Sequence, residues 1–180
     1  MKVFFDCEFT GLQKDTDLIS IGMVSENGKL FYAEFTDYDK SKVDNWIQEN
    51  VIDNLIFNKH NIIETDTFLR GTKEKVKEKL TLWLSQFDTV DLVSDVCHFD
   101  MVLFTDIFGS AFDLPDNVTP ACYDINQDIQ RYYDYQTSYG AFDKSREAIL
   151  EEHSIEVKGC KHNALYDARV IEAIYRLMNK

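Results

Sequence analysis

Two acids one residue apart, Asp6 and Glu8, end the apolar run Val3-Phe4-Phe5. On a strand, residues i and i+2 project to the same side, so these two carboxylates converge on one spot. Two such groups cannot both stay ionised in an apolar setting unless solvent or a cation lies between them. Acid-x-acid triplets are common in a chain with 32 acidic residues, so the pair alone says little. Its position carries more weight. An apolar strand leads straight into it, and Phe9-Thr10-Gly11-Leu12 follows.

A second acid, Asp100, lies in Ser94-Asp95-Val96-Cys97-His98-Phe99-Asp100, just past an apolar strand and at the start of a helix. Ligands gather beyond the carboxyl ends of strands in open α/β sheets, and this segment points there. The plainer alternative is a first-turn acid answering the helix dipole. Asp95 competes for the same role. Helical phase favours Asp100, placing it opposite the apolar face formed by Val102, Leu103 and Phe104.

The third segment is His162-Asn163-Ala164-Leu165-Tyr166-Asp167, after the polar loop Lys158-Gly159-Cys160-Lys161. Asp167 borders the Ala164, Ala168 and Ile171 stripe of a terminal helix, and an acid there needs a partner. A lone histidine is usually a surface or core residue, and His60, His98 and His153 are read that way. His162 differs by its company. Asp6, Glu8, Asp100, His162 and Asp167 form an ordered set suited to two Mg²⁺ or Mn²⁺ ions about 4 Å apart across a scissile phosphate. Hard cations take oxygen ligands, and a neutral imidazole can accept a proton from attacking water.

Positioning these groups requires a sheet. Lys2 to Cys7, Asp17 to Ser25 and Lys29 to Phe35 read as three strands, the last two joined across Asn27-Gly28, a strong hairpin signal. Apolar residues at helical spacing (Val43, Trp46, Ile47, Val51, Leu55) predict a helix over 39–55, and Val76, Leu80, Trp83, Leu84 and Phe87 predict another over 72–87. Thr89 to Ser94 and Ala121 to Tyr123 supply two more strands. Helices are expected over 99–108, 141–153 and 163–178, and 54–71 reads as a surface connection or flap. The expected fold is an α/β sandwich with a mixed five-stranded sheet opening in an antiparallel meander, one domain over 1–180.

Composition narrows the function classes. The chain has 180 residues, 44% hydrophobic and 13% aromatic, enough for a core, with 7 Gly and 2 Pro, too few for a fibre or a linker-rich chain. Nineteen basic against 32 acidic residues leave a net charge of -13, which is poorly suited to coating long nucleic acid by phosphate neutralisation. Bound metal can still supply the positive charge that a phosphate requires. No apolar run approaches a membrane span and no signal-peptide pattern opens the chain, so no membrane partner is expected. Cys7, Cys97, Cys122 and Cys160 lack the close pairing of zinc ligands and read as reduced thiols of a cytoplasmic protein.

Together, Phe5-Asp6-Cys7-Glu8-Phe9-Thr10-Gly11-Leu12, His98-Phe99-Asp100 and His162-Asn163-Ala164-Leu165-Tyr166-Asp167-Ala168-Arg169 resemble the DEDDh 3'-5' exonucleases of the ribonuclease T and oligoribonuclease superfamily. The opening MKVFFDCEFTGL and the hairpin after it are most similar to the ribonuclease AS type. The resemblance implies a ribonuclease H-like fold and two-metal hydrolysis that releases nucleoside 5'-monophosphates from an RNA 3' end. It implies that Asp6 bridges two divalent ions, Mg²⁺ or Mn²⁺, with Glu8, Asp100 and Asp167 completing their coordination and His162 as general base. Phe9, Thr10 and Leu12 would hold the terminal nucleotide, Phe9 either stacking on a base or packing in the core. Several relatives carry His-Asn-Ala before the middle acid, where this chain has Val96-Cys97-His98.

The expected partner is the 3' end of single-stranded RNA, with Lys144, Arg146, Lys158, Lys161 and Arg169 near the His162 loop as a local attraction. The family often dimerises, so a homodimer is expected, with Tyr132-Tyr133-Asp134-Tyr135 as a candidate interface. No motif separates RNA from DNA, since that choice rests on contacts to the 2'-hydroxyl. A DNA 3'-5' exonuclease is therefore one alternative. A catalytically silent nucleic-acid-binding module on the same fold is another.

Overall fold

The first strand is the hub of the molecule. In the computed structural model, which describes residues 1–180, β1 (Lys2–Phe9) pairs antiparallel with β2 (Leu18–Ser25), and β2 with β3 (Leu30–Phe35). The turn between β2 and β3 closes with Gly28 at φ 84°, a left-handed conformation that suits glycine. On the other side β1 pairs in parallel with β5 (Val90–Ser94), and β5 with β6 (Val118–Asp124). The sheet has six strands in the order β4-β3-β2-β1-β5-β6, one more than the pattern predicted.

The additional strand is β4 (Phe68–Gly71), parallel to β3 and inside the stretch expected to be a connection. Four residues ending in glycine carry too little alternation to read as a strand. Besides the backbone ladder and the buried Leu69, side-chain chemistry ties β4 to the edge: Arg70 donates through Nε at 2.9 Å and a second guanidinium nitrogen at 2.6 Å to the buried Glu34 of β3.

Strand parity divides the core. Val3, Phe5 and Cys7 face α3 (Lys73–Leu84) and α4 (Cys97–Phe108) in the larger apolar cluster, which includes Met23, Phe31, Trp83 and Phe104. Phe4 faces the other way, toward α5 (Asn126–Tyr132), α7 (Arg146–Glu152) and α8 (Ala164–Met178). Asp6 and Glu8 share the parity of Phe4, so they emerge on the α8 side.

Two helical expectations are corrected. The helix expected over 39–55 is a 3-10 turn at Lys40–Lys42, α1 (Asn45–Asn50), a second 3-10 turn at Ile52–Asn54 and then α2 (Ile56–Lys59). Asp39 and Asp44 each cap a new start, with Asp44 accepting from Ile47 N at 2.8 Å, and that breaks the run. The helix expected over 141–153 is α6 (Ser138–Asp143) followed by α7, because Ser145 caps a fresh start by accepting from Ala148 N. Periodicity did not mark α5. No helix is long and apolar enough to cross a membrane.

Candidate active site

β1 delivers its two acids to a place where β2 has almost no side chain. Asp6 pairs across the ladder with Gly22, and a Cβ at Gly22 would overlap the backbone of Ala164 and Leu165. The missing methyl lets the first turn of α8 rest directly on the sheet, one turn before Asp167. Asn163 caps that helix, accepting from Tyr166 N at 3.3 Å and donating to the Asn54 carbonyl at 3.0 Å. The helix start is thereby fixed from both sides.

The result is two overlapping carboxylate trios. Oxygens of Asp6, Glu8 and Asp167 lie within 4.8 Å of one another, as do those of Asp6, Asp95 and Asp100. Asp6 belongs to both. No cysteine joins either trio, and all four cysteines are free. The trios open into a cleft of about 760 Å³ whose walls also include Phe9, Leu12, Trp46, Arg146 and His162.

Burial without neutralisation makes these acids reluctant to ionise. Asp6 and Glu8 are raised well above the usual carboxylate range, first by burial and then by neighbouring carboxylates. Burial pushes Asp100 up to about 8, although hydrogen bonds from Ser94 and from Cys7 N oppose it. Asp167 is pushed up to about 7 by burial and by Asp95. This donor set is all oxygen, crowded and short of counter-charge, which fits hard divalent cations.

Asp95 and Asp100, competitors in sequence, both reach Asp6 but have different partners. Arg146 Nε donates to Asp95 Oδ2 at 3.0 Å, and both side chains are mostly shielded from solvent. Asp100 instead accepts from Cys7 N at 3.3 Å and from the Ser94 hydroxyl. The expected helical phase of Asp100 is corrected: it is 2% exposed and lies on the same side as Leu103, Phe104 and Ile107, while Val102 faces solvent. An acid on a buried stripe is costly, and two directed hydrogen bonds offset only part of that cost.

His162 stands on the same cleft but in neither trio. Its backbone is left-handed, with φ 61°, a conformation in which histidine is uncommon. Burial and the neighbouring Lys161 lower its pKa, so the ring is neutral at physiological pH. Trp46, expected on an apolar core face, is instead 54% exposed and edge-on to the imidazole. Only the breaking of the 39–55 helix could have revealed this.

The other expected contacts divide. Leu12 is exposed on the cleft wall. Phe9 also lines the cleft but stacks on Phe99, with centroids 5.9 Å apart, and packs on the larger core. Thr10 is buried, and its hydroxyl accepts from Asp17 N at 3.0 Å, closing the loop to β2. Lys144, Arg146 and Lys161 line the cleft, whereas Lys158 and Arg169 line a neighbouring groove.

A family model described as the 3'-5' exoribonuclease Rv2179c-like domain matches residues 1–178. The 3'-5' exoribonuclease Rv2179c of Mycobacterium tuberculosis is 27% identical over 118 residues, which is 66% of this chain and 67% of that protein. Among solved structures, a 3'-exonuclease recognising the 3' end of histone mRNA stem-loop superposes with a TM-score of 0.68 at 14% identity, covering 98% of this chain and 63% of that one. Cell-death related nuclease 4 gives 0.63 at 17% identity, covering 99% of this chain and again 63% of its own. This chain thus spans under two thirds of those two structures.

A third structure, Pop2p of S. pombe with Mg²⁺ and Mn²⁺ bound, gives a TM-score of 0.56 at 16% identity, over 99% of this chain and 82% of that one. These likenesses establish the ribonuclease H-like architecture. Together with the match along nearly its whole length, they place the chain: it belongs to the Rv2179c-like family of 3'-5' exoribonucleases.

Proposed function

We propose that this chain hydrolyses single-stranded RNA or short oligoribonucleotides from the 3' end, releasing nucleoside 5'-monophosphates with two divalent cations. The observation that carries the reading is the sharing of Asp6 between two carboxylate trios. Asp6, Glu8 and Asp167 would hold one ion, and Asp6 with Asp100 the other. Arg146 already neutralises Asp95, leaving the other four acids as the uncompensated ones. Mg²⁺ or Mn²⁺, when bound, supplies electrophilic stabilisation of charge on the phosphate oxygens.

His162 supplies the base. A neutral imidazole at the cleft rim accepts a proton from the attacking water as its oxygen forms a bond to phosphorus. The bond from phosphorus to the 3' oxygen of the shortened strand breaks, and that oxygen takes a proton from solvent. Leu12 and Phe9 form an apolar wall for the terminal nucleoside, while Thr10 acts through the loop it closes. A homodimer belongs to the same reading: Tyr132 stays exposed, although Tyr133 and Tyr135 stack on each other and pack inward. A monomer in light scattering would remove the dimer.

The deciding experiment is digestion of 5'-labelled single-stranded RNA with Mn²⁺, with EDTA and beside a matched DNA strand. A metal-dependent ladder shortening from the RNA 3' end is expected. A ladder on DNA alone would reassign the substrate, and no cleavage of either strand with metal bound would leave a silent binding module.

A further inference from the structure

The 158–163 loop is a ridge with a groove on each side. Lys161 and His162 face the active-site cleft, whereas Lys158, Gly159 and Cys160 line a second groove of about 280 Å³. Gly159 keeps the ridge low: it has φ 140°, and a Cβ there would overlap the ring of Tyr166. Asn54 ties the ridge down, donating to the Lys161 carbonyl at 3.3 Å and accepting from Asn163 at 3.0 Å.

Charge distinguishes the second groove from the active-site cleft, whose wall carries eight aspartates and glutamates. Lys59, Lys158 and Arg169 line it, with His60 beside them, and no aspartate or glutamate belongs to its wall. That is unexpected on a chain of net charge -13. The cations of the active-site cleft are all spoken for: Lys144 pairs with Glu152, Arg146 with Asp95 and Lys161 with Glu147. Lys59, Lys158 and Arg169 make no ion pair. Lys59 is nevertheless held in place, donating to Asn54 Oδ1 at 2.6 Å. A positioned, unneutralised cation has its charge available for a ligand.

Resting on the exoribonuclease reading above, we infer that this groove binds the phosphodiester backbone of the substrate strand upstream of its reactive end. A strand whose 3' terminus occupies the cleft crosses the ridge at Lys161 and reaches Lys158, Lys59 and Arg169 with its next phosphates. Such contacts add affinity without reading bases. They also confine attraction to one track on a surface that otherwise repels nucleic acid. The groove thus governs how tightly longer strands are held, while the cleft governs the chemistry.

The test replaces the three cations together (Lys59→Ala, Lys158→Ala, Arg169→Ala) and compares a dinucleotide with a strand of about twelve nucleotides, within the reach of a single-strand track. KM for the longer strand should rise about tenfold with kcat unchanged, and dinucleotide hydrolysis should be unaffected. Each lost phosphate contact flattens the salt dependence of binding by about 0.7 in log-log slope, so a loss of about 2 is expected. An unchanged KM and salt slope for the longer strand would overturn the inference, as would equal losses on both substrates. Arg169→Gln and Lys158→Gln serve if the triple variant is unstable, because neither side chain makes a hydrogen bond that folding would miss.

Fluorescence anisotropy with labelled RNA keeps the groove separate from the catalytic reading. If the wild type cleaves nothing, weaker RNA binding by the variant still supports the groove, and equal binding refutes it. Competition by inorganic phosphate as effective as competition by the oligomer would make it a single-anion site and refute the strand track.

Discussion

The indole of Trp46 meets the imidazole of His162 edge-on, with ring centroids 5.0 Å apart and planes at 73°. The histidine sits on a left-handed backbone at the rim of a cleft, so this contact limits where its ring can point. Aromatic pairs in this geometry contribute roughly 0.5–1.5 kcal/mol beyond burial. Trp46→Ala should therefore lower kcat by about tenfold at most, whereas His162→Ala should lower it by about 10²–10⁴-fold with metal affinity retained. Steady-state kinetics and Mn²⁺ titration of both variants check this, and equal losses would mean that Trp46 does more than orient the ring.

Asp6→Asn removes the one carboxylate common to both trios. Activity should fall by about 10³-fold or more, and divalent affinity should fall with it. The metal-free variant should melt higher than the wild type, because like charges no longer meet at one point. Calorimetry with and without Mg²⁺ separates the two effects. Retained Mn²⁺ affinity would count against a bridging role.

Stability of the metal-free protein should fall as pH rises. Asp100, at about 8, and Asp167, at about 7, still hold protons in the folded chain that an unfolded chain has already released. The folded state binds more protons across that window, so the slope of stability against pH is negative. His162 has the opposite sign, but its contribution ends near the ordinary histidine pKa of about 6.5. Between about pH 7 and 8.5 the melting temperature should drop by a few degrees. Saturating Mg²⁺ should remove the drop, since metal displaces the same protons.

Gly22→Ala should push the start of α8 off the sheet. The added methyl meets backbone rather than a flexible side chain, so about 3 kcal/mol of stability should be lost. Metal affinity should weaken too, because Asp167 moves away from Asp6. Guanidinium denaturation and metal titration measure both. An unaltered metal affinity would show that helix and strand are held together elsewhere.

Much of the frame was legible from residue order, because its signals are local. Alternation and the Asn27-Gly28 turn specify the opening hairpins, and strand parity alone puts Asp6 and Glu8 on one side. The Val76, Leu80 and Trp83 spacing gives α3 directly. The features that escaped depend on partners remote in sequence. β4 is tied to β3 by Arg70 reaching Glu34, and the buried Asp100 has its hydrogen-bond partners in Cys7 N and Ser94. Trp46 illustrates the opposite failure. Its spacing suited a buried helical stripe, but two aspartate caps restarted the chain, and the indole emerged beside the histidine.

The contact between Gly22 and the first turn of α8 also has a consequence in time. Asp6 and Glu8 belong to the first strand, while His162 and Asp167 enter with the last helix, so the site closes only when that helix docks. Until α8 has folded onto the sheet, neither His162 nor Asp167 stands beside Asp6 and Glu8, so the cleft takes its final form in one late packing step.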